Sequence, residues 1–132
     1  MELNLRIIGV ILILLAIVHA AFPRRFKWKD ELSSLSLINR QMMVVHTFFI
    51  ALTLLLMGAL CIYGSNEIIH TPFGRMIALG MFIFWGVRLV FQFFVYSSDL
   101  WKGKKFETLI HILFSLLWLY FTVIFGMISF QL

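Results

Sequence analysis

The stretch Asn39–Tyr63 reads NRQMMVVHTFFIALTLLLMGALCIY, an apolar run with one histidine, His46, set inside it near one end. A helix needs ~20 apolar residues to cross the ~30 Å hydrocarbon layer of a bilayer, and this run is long enough to do so. Three further runs resemble it: Leu5–Phe22 (LRIIGVILILLAIVHAAF), a third from about Arg75 to Tyr96, and a fourth from about Phe106 to Phe130.

Composition agrees with this reading. Of 132 residues, 62% are hydrophobic and 13% charged, and the mean hydropathy is +1.01. Soluble domains carry roughly 25% charged residues, so a single aqueous core of this composition is excluded. The expected fold class is all-α integral membrane. The expected organisation is one domain over residues 1–132, an antiparallel bundle of four transmembrane helices with spans at about 5–22, 41–63, 75–96 and 106–130. A formal charge of +5 invites a nucleic-acid reading, but the bases lie between the runs, where membrane orientation accounts for them. The single Cys61 excludes an internal disulfide and a cysteine-built metal site.

Orientation follows from those bases. The loops 23–40 and 97–105 hold Arg24, Arg25, Lys27, Lys29, Arg40, Lys102, Lys104 and Lys105, whereas the opposite side holds only Arg6 and Arg75. The positive-inside rule then places both basic loops in the cytoplasm and both termini on the other side, with the bacterial inner membrane as the expected location. A cleaved secretory signal competes for the first run, because Val18-His19-Ala20 has small residues suited to cleavage before Ala21. The basic cluster that follows, with only Arg6 ahead of the run, favours a retained span.

Between the runs the punctuation is plain. Pro23 is expected to end the first helix. Asp30 is expected to cap a short helix carrying Leu32, Leu35 and Ile38, with Phe26 and Trp28 among the headgroups. Gly64-Ser65-Asn66 marks a turn, and His70 is expected to be a solvated residue of the 64–74 connection.

The polar residues within the runs carry the functional expectation. By helical rise, His19 lies ~5 Å inside the end of its run and His46 and His111 ~7 Å inside theirs. Gln92 lies ~6 Å and Arg88 ~12 Å deep by the same measure. Four helices thus bring polar groups to one level of the membrane. Helical spacing also groups them by face: Asn39, His46 and Thr53 on the second run; Trp85, Arg88, Gln92 and Tyr96 on the third; Thr108, His111, Ser115, Thr122 and Ser129 on the fourth. On the first run His19 shares a stripe with Leu5 and Leu12, while Gly9 and Ala16 favour close helix approach. Polar groups facing lipid are costly, so these stripes are expected to face inward.

Three histidines that leave an open coordination position form a recognised catalytic arrangement for a transition metal such as zinc or iron. His19, His46 and His111 are therefore the candidate metal ligands. Haem b is a second use, with His46 and His111 as axial ligands and Arg88 on a propionate. A quinone or lipid headgroup held by His and Arg without metal is a third. Arg88, Gln92 and Glu107 are the candidate catalytic groups: Arg88 as an anion or oxyanion clamp with Asp99 or Glu107 as alternative partners, the other two supporting the ligands. The expected function is redox or hydrolytic chemistry on a lipophilic substrate. The alternative is a non-catalytic subunit or assembly factor of a larger membrane complex, or a homo-oligomer. Against all of these stands a structural role, since a histidine within a span is often a helix–helix hydrogen-bonding residue contributing ~0.6–2 kcal/mol. The aromatic cluster Phe82, Phe84, Phe91, Phe93 and Phe94 reads as packing before it reads as a substrate site. A proton-coupled transporter is disfavoured because no acid lies deep in a run.

Overall fold

The computed structural model describes residues 1–25, 27–95 and 103–132, the side chains of residues 22, 24 and 25 excepted. Its helices are α1 (Glu2–Arg25), α2 (Trp28–Glu31), α3 (Leu37–Tyr63), α4 (Ser65–His70), α5 (Pro72–Phe94) and α6 (Lys105–Ser129). The long helices α1, α3, α5 and α6 are each apolar enough to cross a membrane, in agreement with the four expected runs. At the helical rise they measure ~35–40 Å, more than the ~30 Å hydrocarbon layer. The chain divides into two compact units, residues 2–65 and residues 66–132 with Met1.

In the first unit α1 and α3 pack antiparallel. From α1 the stripe Leu5, Ile8, Leu12, Leu15 and Ala16 is buried, and from α3 the stripe Thr47, Leu54, Gly58 and Cys61. These spacings of three, four and seven put each set on one helix face. Gly9 and Gly58 face each other where the two backbones come closest. A Cβ added at Gly58 would lie 2.7 Å from the Gly9 carbonyl oxygen, and one added at Gly9 would lie 2.7 Å from the Gly58 carbonyl oxygen. The expectation that Gly9 admits a close neighbour is met, and the first run is a packing partner of α3. At one end of this pair Glu2 accepts a hydrogen bond from Ser65 Oγ at 3.3 Å and pairs with Arg6 at 3.6 Å.

Several expected boundaries move. Pro23 does not end α1, which runs on to Arg25. Proline withholds a hydrogen bond from the carbonyl four residues back, here that of His19, yet its fixed φ is helical and lets the last turn continue. Asp30 does not cap a helix; it lies inside α2, whose N-cap Lys27 is left-handed with φ 52°. Leu32 closes α2 and Ile38 belongs to α3. The effective cap is Ser36, whose Oγ accepts from Asn39 N at 3.4 Å, so α3 starts at Leu37, ahead of the expected Gln41. Trp28 is buried at 9% exposure. Phe26 lies outside the described residues, as does most of the 97–105 loop.

In the second unit the 64–74 connection is a short helix, α4, and His70 is an exposed residue of its last turn. Thr71 joins α4 to α5. Its hydroxyl donates to the Glu67 carbonyl at 2.7 Å and accepts from Gly74 N at 2.9 Å, capping α5, with Pro72 in the first turn. Gly74 sits against α4, where any Cβ would collide with the Glu67 carbonyl and Ile68 Cα. From there α5 and α6 run antiparallel, burying Ala78, Met81, Trp85 and Gln92 of the one against Ser115, Trp118, Phe121, Phe125 and Ile128 of the other.

Candidate functional site

Arg88 and Gln92 stand four residues apart on α5 and so share a face. His111 comes from α6, with Glu107 in the first turn of that helix. The antiparallel pairing brings the end of α5 against the start of α6, and there the polar side chains meet. Arg88 Nη1 donates to Gln92 Oε1 at 3.3 Å, and Gln92 Nε2 lies 2.9 Å from His111 Nδ1. Both Arg88 and His111 make interactions beyond these.

The donors and acceptors of this chain are fixed in order. A guanidinium only donates, so it takes the amide oxygen of Gln92. The amide nitrogen then faces His111 and donates to Nδ1. Neutral His111 therefore carries its proton on Nε2. One arginine thus sets the tautomer of a histidine on the neighbouring helix.

Beside this chain lies an aromatic stack. The rings of Trp85 and Trp118 are 4.9 Å apart and nearly parallel, at 15°. Phe114 stacks on Trp118 at 5.5 Å, and Phe121 meets both indoles edge-on. Arg88 Cζ lies over the Trp118 ring at 5.2 Å, a cation–π contact that holds the guanidinium against the hairpin. Trp85 and Trp118 are 2% and 5% exposed, and the Nε1 atom of each is buried without a hydrogen-bond partner. A buried donor left unmade costs ~1–3 kcal/mol.

The fourth-run stripe behaves as expected: Ser115 is buried and Thr108, His111, Thr122 and Ser129 are half-buried. The third-run stripe does so for Trp85, Arg88 and Gln92, while Tyr96 and Asp99 lie outside the described residues. The second-run stripe lies off the face of α3 that packs on α1. Asn39, His46 and Thr53 are all exposed, and the face turned to α1 is that of Thr47. Threonine can face lipid cheaply because its hydroxyl bonds its own helix: Thr53 Oγ1 donates to the Phe49 carbonyl at 2.7 Å. The glycine crossing at Gly58 then decides which face of α3 is buried.

The remaining site residues are also placed. His19 is half-buried on the Leu5–Leu12 face, with Nδ1 2.8 Å from the Leu15 carbonyl oxygen. Glu107 is exposed. Measured from the helix ends, His46 lies ~14 Å inside α3, whereas His19 and His111 lie ~9 Å inside α1 and α6. Among the described residues no group of three or more His, Cys, Asp or Glu side chains is placed to hold a metal ion. The metal set of His19, His46 and His111 therefore finds no support, nor does a haem between His46 and His111.

Trp118 is the residue that reading from sequence missed. It stands seven residues beyond His111, on the polar stripe of the fourth run, so the spacing that selected Ser115 and Thr122 would also have selected it.

Comparison with protein-family models, with curated proteins and with solved structures finds no match to this chain.

Proposed function

We propose that this chain is an integral membrane protein whose α5–α6 hairpin binds a lipophilic molecule through a hydrogen-bond-accepting headgroup, without a metal. The observation that carries this reading is the Arg88–Gln92–His111 chain, a guanidinium, an amide and an imidazole linked in sequence inside a mostly apolar hairpin. An arginine within a span costs about 2.5–3.5 kcal/mol on insertion scales, and such residues mark binding or transport sites by default. Hydrogen bonds between helices in a membrane contribute only ~0.6–2 kcal/mol each, so structure alone is a weak reason to keep that charge there.

The side chains around the chain are donors: the guanidinium of Arg88 and the indole N–H groups of Trp85 and Trp118. They suit a quinone carbonyl, a fatty carboxylate or a lipid phosphate, and they disfavour an amine. Apolar walls for the tail come from Phe114, Phe121 and Phe93, the last with its ring 6.0 Å from that of His111. The basic loops would hold the polar end of this hairpin near the cytoplasmic surface of a bacterial inner membrane.

The test uses protein in lipid nanodiscs and two radiolabelled probes, laurate and a decyl-substituted benzoquinone. Wild-type protein should retain at least one of them saturably, and Gln92→Leu and Arg88→Gln should each weaken retention tenfold or more. Equal retention by wild type and both variants would contradict the reading.

A further inference from the structure

Resting on the ligand-binding reading above, we infer that the two stacked indoles supply the donors that recognise the headgroup, and that Trp85 and Trp118 are ligand-binding residues. Both rings are almost wholly buried, each Nε1–H lacks a partner, and the two rings lie parallel at 4.9 Å. A buried tryptophan N–H usually reaches an acceptor, because an unmade bond at a buried donor is costly. Two neighbouring indoles, each with an unmet donor, are the observation from which an oxygen-bearing ligand is inferred. The shared chemistry is an oxygen that accepts and has no hydrogen to give, as in a quinone or ester carbonyl or a carboxylate.

Arg88 fits this role from the side. Its guanidinium lies over the Trp118 face and adds positive potential beside the stack. Arg88 and Phe114 are both half-buried, and the stack reaches the hairpin surface at these two side chains. A headgroup entering there displaces long or flexible side chains and leaves the helix backbones in place.

Trp85→Phe and Trp118→Phe separate a ligand role from a packing role. Each keeps an aromatic ring in the stack and removes the donor together with the fused ring that carries it. Without ligand, each variant should lose some thermal stability to the void the smaller ring leaves, offset in part by removal of an unsatisfied buried donor. With ligand, each should bind the laurate or decyl-benzoquinone probe about tenfold more weakly, the loss of one buried hydrogen bond. Dodecylamine, a donor headgroup on a similar tail, should not be retained. Ultraviolet resonance Raman spectra of a Trp28→Phe, Trp101→Phe background should report free indole N–H groups after delipidation and hydrogen-bonded ones after the probe is added. Retention of laurate alone would assign the oxygen to a carboxylate amphiphile, and of the quinone alone to a neutral carbonyl; both agree with the inference. Wild-type affinity in both phenylalanine variants would overturn the indole assignment while leaving the hairpin as a ligand site. Tight binding of dodecylamine, or hydrogen-bonded indoles in delipidated protein, which would mean trapped water only, would overturn it too. Retention of neither probe by wild type would remove the ligand reading itself and the indole assignment with it.

Discussion

At the scale of single residues, Gln92 is the hinge of the polar chain, because its amide both accepts from Arg88 and donates to His111. Nitrogen-15 NMR of histidine-labelled protein in bilayers should show His111 protonated on Nε2 with a bare Nδ1; the opposite tautomer would contradict the chain as described. Gln92→Leu, similar in volume and without polar atoms, should cost about 1–2 kcal/mol of hairpin stability through two lost interhelical and intrahelical bonds. Thermal or denaturant unfolding in mild detergent checks that value. The residues of this chain were legible beforehand, since Trp85, Arg88 and Gln92 follow helical spacing on one run and His111, Ser115 and Thr122 on another. His46 was not. Its stripe looked inward because it held Asn39 and Thr53, but Thr53 satisfies itself on the Phe49 carbonyl and places no demand on a neighbouring helix.

At the scale of elements, the glycines separate contact from open surface. A Cβ at Gly58 would meet the Gly9 carbonyl oxygen at 2.7 Å and Ile13 Cγ1 at 2.8 Å, whereas at Gly80 nothing lies within 4 Å. Gly58→Ala should therefore push α1 and α3 apart and destabilise the pair by about 1–3 kcal/mol, the usual cost of overpacking. Gly80→Ala, in the middle of α5, should be neutral or stabilising by about 0.5–1 kcal/mol through helix propensity. Parallel melting curves of the two variants check the contrast, and equal behaviour would argue against the close crossing. Gly9 was recognisable as a packing residue from sequence. Its partner was not, because the face of α3 that meets it depends on how the two helices rotate to let their backbones touch. The caps show a similar limit: Asp30 and Ser36 are both good cap residues, yet Asp30 lies inside α2 and Ser36 caps α3.

At the scale of the whole molecule, the four runs and the basic loops imply an orientation that labelling can read. In a Cys61→Ala background, a cysteine at Lys27 or Lys104 should react with an impermeant maleimide only from the cytoplasmic side, and one at Asn66 only from the opposite side. The reverse pattern would invert the topology. The measurement that bears most directly on the central claim is native mass spectrometry of protein released from its own membrane in mild detergent. The wild-type chain should retain a discrete lipophile with a carbonyl, carboxylate or phosphate headgroup, and Gln92→Leu should fly without it. A bare wild-type chain, or the same adduct on both proteins, would contradict a headgroup site at Arg88, Gln92 and His111.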